Sequence, residues 1–214
     1  MRTRFSENLD SLARDLAEIC RLAVTAMDKA SRALLDADLE VAEEVIDMGS
    51  SFDEAAAHWE QRAFALLALQ APVAHDLRLM VGGLHISADL HRMGGLAIHV
   101  AKIARRRHPD HAVPEEVRGV FTEMAAVAIA QARETEETLQ HRDPGRAKHL
   151  LLADDTMDEL HRGLFLILQA PEWPHGVQAA VDITLLGRFY ERFCDHTVEI
   201  GRRIIFLETG VLPD

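Results

Sequence analysis

The chain has 214 residues, of which 23 are Lys or Arg and 35 are Asp or Glu, so its formal net charge is −12. An acidic surface gains nothing from counterion release on a phosphate backbone, so direct binding to DNA or RNA is not expected. Hydrophobic residues make up 48% and charged residues 27% of the chain, which is typical of a globular protein and excludes a disordered one. Because only 5% of the residues are aromatic, with 12 Gly and 7 Pro, the composition favours long helices.

The sequence predicts a protein of the reducing cytoplasm. Its two cysteines, Cys20 and Cys194, are too few for a disulfide framework. No apolar stretch follows the basic N-terminus, so no signal peptide is predicted. The most apolar segment, residues 80–104, contains Asp89 and Lys102 and is therefore not expected to span a membrane. We expect the protein to reach a membrane only through its partners.

Helical periodicity runs through the whole chain. Apolar residues recur at steps of three and four between the prolines, and the stripe that begins at Leu39 is sustained for about eight turns. No alternating β-branched run with a hairpin signal occurs, so the predicted fold is all-α. We predict six helices, near residues 5–35, 38–70, 73–107, 115–141, 145–170 and 175–208. The aromatic core candidates at helical spacing are Trp59, Phe52, Phe64, Phe165 and Phe189.

The two halves of the chain resemble each other. Short matches keep the same order at nearly the same offset: residues 37–42 with 142–147, 53–54 with 158–159, 70–72 with 169–171, and Arg92 with Arg192. Such self-similarity indicates one structural unit used twice. We therefore predict two tandem three-helix bundles, residues 1–109 and 110–214, which are joined at residues 108–114.

A stripe of carboxylates marks the second half. Glu191, Asp195 and Glu199 are four residues apart on the last predicted helix, and a step of four turns the helix face by only about 40°. Asp154 and Asp158 have the same spacing on the fifth helix. Carboxylates brought so close repel one another unless protons, arginines or a cation intervene. The pattern is suited to Mg²⁺, Mn²⁺, Ca²⁺ or iron.

Two further observations bear on this stripe. The second half holds 10 basic and 19 acidic residues, whereas the first 109 residues hold 13 and 16, so the acidity is concentrated in the half that carries the stripe. His196 offers a possible nitrogen ligand. The alternative is a solvated helix face on which Arg188 and Arg192 pair with Glu191 and Asp195.

Three short motifs of the chain are similar to elements of one protein family. Ala-Pro-Val-Ala-His-Asp-Leu-Arg at 71–78 is similar to that family's Pro-Val-Ala-x-Asp-Leu-Arg signature. Phe-Tyr-Glu-Arg-Phe-Cys-Asp-His at 189–196 resembles its Tyr-x-Glu-Arg-x-x-Asp-His element, and residues 154–160 resemble its Asp-x-x-x-Asp element. Together these motifs resemble the PhoU family, the accessory regulators of bacterial phosphate uptake. The resemblance extends over the whole chain, and the motifs are specific in combination.

The resemblance implies two three-helix bundles that bind metal through paired acidic motifs. It leaves the metal open among iron, zinc, Mg²⁺ and Mn²⁺. It also implies a cytoplasmic adaptor, without enzyme activity, that negatively regulates phosphate uptake and phosphate-starvation signalling. The implied partners are the ATP-binding subunit of the phosphate ABC transporter, a phosphate-sensing histidine kinase and a second copy of the chain.

The first half departs from the family pattern. Its residues at three of the acidic positions are Gly49, His91 and Gly95, and only Asp53 remains acidic. We therefore predict one carboxylate metal site, in the second half. For the first half, a nitrogen-rich site of Asp53, His91 and His99 is weighed against histidines that bind no metal.

Two other classes of protein use similar residues. A diiron helical-bundle enzyme needs Glu-x-x-His on two bundle helices, and such a string occurs here only at residues 172–175, in a Pro-containing loop. A histidine phosphotransfer domain is the second alternative, because His99 and Lys102 have its His-x-x-Lys spacing. The sequence has no nucleophile–base pair and no Gly-rich phosphate loop, so we predict that the protein is not an enzyme.

Overall fold

The computed structural model describes residues 2–70, 72–152, 154–171 and 173–213; the side chains of residues 2–6 and of Asp154 lie outside the described part. Within these ranges every regular element is a helix, which confirms the all-α prediction. The helices are α1 (Arg2–Asp36), α2 (Leu39–Asp47), α3 (Gly49–Gln70), α4 (Ala74–Arg107), α5 (Glu115–His141), α6 (Pro144–Leu152), α7 (Asp154–Leu168) and α8 (Gly176–Thr209).

The structure agrees with the six predicted helices, of which the second, 38–70, is interrupted once and runs as α2 and α3. The interruption is at Met48, where the backbone hydrogen bonds continue from Met48 N–H to Glu44 and from Phe52 N–H to Met48, each at 3.2 Å. Gly49 and the two serines after it have low helix propensity, which permits an interruption there. The fifth predicted helix, 145–170, corresponds to α6 and α7, and residue 153 between them lies outside the described residues.

Both halves use the same turn after their first helix, which supports the internal repeat. Ala37 after α1 and Arg142 after α5 both have left-handed backbone, with φ of 52° and 49°. The next residue in each half is an aspartate that caps the following helix. Asp38 accepts from the backbone N–H of Val41 at 3.1 Å, and Asp143 accepts from that of Gly145 at 2.8 Å.

The two halves share one core. α1 packs against both α4 and α5, and α8 packs against the same two helices, so these four long helices form a central bundle. The α2–α3 arm lies on the α1–α4 side of this bundle, and the α6–α7 arm lies on the α5–α8 side. The predicted three-helix units are thus joined along two of their three helices, and a single continuous cluster of buried apolar side chains runs through both.

Buried polar contacts also cross between the halves. The Ser31 hydroxyl in α1 and the Tyr190 hydroxyl in α8 are 2.8 Å apart, and the Cys20 thiol donates to the carbonyl oxygen of Ala132 at 3.4 Å. The buried carboxylate of Asp182 at the start of α8 accepts from arginines at the end of α4. Because buried polar groups must be paired, these contacts set the register of one half against the other.

Four of the five aromatic core candidates divide into two groups, and the fifth, Phe189, is half-buried and packs against the core. Trp59 and Phe52 are buried as predicted, and their rings lie against Gly83 and Gly94 of α4, where a Cβ atom would come within 2.5 Å and 2.6 Å of ring atoms. Phe64 and Phe165 are exposed instead, which corrects the prediction. Helical spacing places an aromatic residue on the apolar stripe of its own helix, but only a neighbouring helix buries it.

Candidate metal centre between two helices

The predicted carboxylate stripe lies where α7 packs against α8. Asp158 projects from α7, whereas Glu191 and Asp195 lie one turn apart on α8. Burial raises the pKa of Glu191, and the neighbouring charges of Asp195 and Asp158 raise it further, while Arg188 opposes them. Asp158, Glu191 and Asp195 therefore lie close enough to act on one another electrostatically, and we refer to them as the α7–α8 patch.

Glu191 is the most buried of these carboxylates, with a side chain that is 13% exposed. Its Oε1 accepts a hydrogen bond from the Arg188 guanidinium, but its Oε2 is buried and has no hydrogen-bond partner in the protein. A buried carboxylate oxygen without a partner costs on the order of 1–3 kcal/mol. The unpaired oxygen is thus a donor that a cation would satisfy.

His161 is a second unpaired donor at this site, and the sequence reasoning missed it. Its Nε2 is buried without a hydrogen-bond partner, and its ring lies against Gly187 of α8, where a Cβ atom would be 3.1 Å from Cδ2. Burial, followed by the charge of Arg188, lowers the pKa of His161, against the opposing effect of Asp158 and Asp195. The neutral imidazole that results is the form that binds metals.

A signal for His161 is present in the sequence. It follows Asp158 by three residues on the same helix, a spacing that places the two side chains on one face. The glycine opposite it, Gly187, matches Ser87 of the first half at the offset that relates Arg92 to Arg192. Two features of the sequence together identify this donor. One is the Asp-x-x-His string on α7, and the other is a glycine on α8 one turn before Glu191.

The other predicted ligands of the second half lie in different surroundings. Asp154 begins α7, but its side chain lies outside the described residues. Glu199 pairs with arginines of its own helix, since Arg203 donates to it at 2.9 Å and Arg202 lies 3.9 Å away. His196 faces α4, where its Nδ1 is 3.1 Å from a carboxylate oxygen of Asp89, so it is not on the side of the patch.

The residues proposed for the first-half site only partly meet. His91 Nε2 is 2.7 Å from Asp53 Oδ1 across the α3–α4 contact, and the Asp53 side chain is 75% exposed. The His99 ring stacks instead on Phe189 of α8, with 5.2 Å between ring centroids. Gly95 lies between the two histidines, and a Cβ atom there would meet nothing within 4 Å.

The donor types of the second-half patch fit a metal ion. Three carboxylates and a neutral imidazole suit a hard or borderline cation, and two of their donor atoms are buried without partners. Among the side chains that the structure describes, which exclude Asp154, no three His, Cys, Asp or Glu groups surround a common point at which an ion would bind. Metal binding at this patch would therefore require side-chain rotation, first of all by Arg188, which pairs with Glu191.

The Glu-x-x-His string at residues 172–175 does not lie on a bundle helix. His175 comes immediately before α8, and its Nε2 is 2.9 Å from an oxygen of Glu116 at the start of α5. Glu172 lies outside the described residues. The described part of the string therefore lacks the inward projection that a diiron site requires.

Two apolar patches are exposed at equivalent places in the two halves. Both lie around the turn between the second and third predicted helices of the half. The first-half patch contains Phe64, Leu69, Val73, Leu77 and Val81, and the second-half patch contains Phe165, Leu166, Val177, Val181 and Leu185. Leu77 and Val81 match Val177 and Val181 at the offset that relates Arg92 to Arg192. Ala74, within the 71–78 motif, has left-handed backbone with φ of 48°.

Across the described part of the chain, no helix combines the length and the apolar character needed to cross a lipid bilayer.

Comparison with known proteins identifies relatives along the whole chain. The family described as PhoU domain matches residues 16–104 and 121–204, one range within each half. The phosphate-specific transport system accessory protein PhoU homolog 2 of Mycobacterium tuberculosis is 54% identical over 213 residues, which cover all of both chains. The PhoU homolog 1 of Mycobacterium leprae is 53% identical, and the match covers all of this chain and 96% of the relative.

Solved structures show the same fold. The phosphate transport system regulatory protein PhoU from Streptococcus pneumoniae superposes with a TM-score of 0.89 at 23% identity, covering 98% of this chain and 99% of the other. PhoU from Pseudomonas aeruginosa superposes with a TM-score of 0.88, also at 23% identity, covering 97% and 100%.

Proposed function

This chain belongs to the PhoU family, and on that premise we propose that it is a cytoplasmic accessory protein that restrains phosphate uptake. The observation that carries the proposal is the match over the full length to relatives that are named as accessory proteins of the phosphate-specific transport system. The protein acts as an adaptor, through contacts with the ATP-binding subunit of the phosphate ABC transporter and with a phosphate-sensing histidine kinase. Self-association as a dimer is part of the same proposal.

The paired apolar patches are the surfaces proposed to meet the transporter's ATP-binding subunit. Exposed apolar clusters of several side chains are characteristic of protein–protein contact sites. Equivalent residues, Leu77 with Val177 and Val81 with Val181, are exposed in both halves. Exposure of the same positions in both halves is expected if both repeats bind the same class of partner.

A pull-down from phosphate-replete cells tests the adaptor proposal. The wild-type chain is expected to recover the ATP-binding subunit of the transporter, and Leu77→Asp combined with Val177→Asp should abolish that recovery. Leu152→Asp is the matched control, because Leu152 is 77% exposed and lies on α6, outside both patches. Recovery of neither the transporter subunit nor the kinase by the wild-type chain would contradict the proposal.

The α7–α8 patch is proposed to bind one metal ion. Asp158, Glu191 and Asp195 supply carboxylate oxygens, Asp154 extends the set, and His161 supplies a nitrogen. The bound ion supplies positive charge that neutralises the patch and links α7 to α8. Because an imidazole favours borderline transition metals, we expect iron, zinc or Mn²⁺ in preference to Mg²⁺.

Metal analysis of the purified protein tests this site. Asp195→Ala is expected to lose about one equivalent of metal per chain, because it removes a donor from a site with few others. Asp53→Ala, in the first half, is the control and is expected to retain that metal. If Asp195→Ala leaves the metal content unchanged, the α7–α8 patch does not bind the metal.

A further inference from the structure

Arg188 already neutralises the carboxylate on which the proposed metal site depends. Its guanidinium donates to Oε1 of Glu191, three residues further along α8. The two partners differ in exposure, since the Arg188 side chain is 52% exposed and that of Glu191 is 13% exposed. The arginine therefore reaches from the surface to a carboxylate that is held in place by its surroundings.

The surroundings of Glu191 make this pairing sensitive to any second cation. The Glu191 side chain is 13% exposed and its Oε2 is buried without a hydrogen-bond partner, so a cation that enters the patch binds beside the guanidinium on Oε1. A divalent ion that binds Glu191 would meet this guanidinium as a like charge, and like charges at such range repel each other.

We propose that Arg188 and the metal ion exclude each other at Glu191, so that Arg188 weakens metal binding and makes it reversible. This inference rests on the proposed metal site. Arginine can leave because its flexible stem is half exposed and its guanidinium remains hydrated in solvent. In the absence of metal, the same arginine relieves the repulsion among Glu191, Asp195 and Asp158. Metal binding thus replaces one counter-ion of Glu191, the Arg188 guanidinium, with another, the metal ion.

Isothermal titration of the purified full chain with Mn²⁺, and separately with Zn²⁺, tests the proposal. Arg188→Gln is expected to bind each ion about 5-fold more tightly than wild type, the effect of losing one partly exposed competing ion pair. Arg192→Gln is the matched control, because Arg192 is exposed, follows Glu191 directly and forms no ion pair with any described residue. Both variants lose one positive charge, so the difference between them isolates the contact with Glu191.

A second variant keeps the test decisive if Arg188→Gln does not fold. Arg188→Lys retains the charge but not the planar guanidinium, so it should bind metal with an affinity between those of Arg188→Gln and wild type. Affinity in Arg188→Gln that is equal to or weaker than that of Arg192→Gln would overturn the inference while leaving the metal site intact. Absence of binding in wild type and in every variant would overturn the metal site itself.

Discussion

Asp89 in α4 and His196 in α8 form a buried pair between the two halves of the molecule, with 3.1 Å between Oδ1 and Nδ1. Each side chain is only 11% exposed. Asp53 and His91 form a shorter contact of 2.7 Å, but their side chains are 75% and 44% exposed. The same two residue types thus form one pair inside the shared core and another at its surface. Burial makes the first pair structural.

The first prediction concerns the cost of breaking the buried pair. Asp89→Ala should lower the free energy of unfolding by about 2–4 kcal/mol, because it leaves the His196 imidazole buried without its partner. Asp53→Ala is the surface control and should change the free energy by less than about 1 kcal/mol. Urea unfolding at constant m-value measures both. If the two substitutions change the free energy of unfolding equally, the buried Asp89–His196 contact stabilises the fold no more than the exposed pair does.

The second prediction compares two adjacent glycines of α4. A Cβ atom at Gly94 would lie 2.6 Å from ring atoms of Phe52, whereas one at Gly95 would meet nothing within 4 Å. Gly94→Ala should therefore destabilise the protein by about 1–3 kcal/mol, through overpacking. Gly95→Ala should stabilise it by about 0.5–1 kcal/mol, because alanine is the better helix former. Thermal unfolding distinguishes the two variants. If Gly95→Ala is also destabilising, residue 95 contacts a neighbouring side chain, and the prediction is wrong.

The third prediction restores the missing acidic site in the first half. Gly49→Asp, His91→Glu and Gly95→Asp together recreate the carboxylates that the second half carries, next to the existing Asp53. The backbone has room, since a Cβ at Gly95 meets nothing and one at Gly49 lies 3.6 Å from Ile98. We expect one additional equivalent of Mn²⁺ per chain by equilibrium dialysis.

The control for this triple variant carries the same charge change elsewhere. Three exposed, uncharged residues of α5 and α6 changed to acids would add negative charge without the spacing. If both variants bind the same additional amount of Mn²⁺, the gain comes from net charge, and the ligand spacing has no role.

The fourth prediction concerns the two thiols. Cys20 and Cys194 are fully buried, and burial together with Glu136 raises the pKa of the Cys20 thiol. Because only a thiolate reacts readily, the native protein should not react with Ellman's reagent at pH 8. In denaturant, two thiols per chain should react. Rapid labelling of either cysteine in the native protein would show that α1 or α8 separates from the bundle.

Several features of the fold follow from local patterns. Apolar residues at steps of three and four specify helices wherever they occur, and prolines at positions 72, 109 and 144 limit the spans. The interruption at Met48 was not predicted because the apolar stripe continues through it. The exposure of Phe64 and Phe165 was not predicted either, since periodicity reports the face of a helix and not what covers that face.

For the site, the sequence alone determined the carboxylate spacing, the internal repeat and the loss of three acidic positions from the first half. These properties depend only on residue identity and on the fixed rotation per residue of a helix. The tertiary structure decided which donors meet. It turned His196 towards Asp89, paired Glu199 and Glu191 with arginines, and placed His161 against Gly187. Such choices depend on the register and the rotation of α8 against α4 and α7, which packing between residues distant in sequence determines.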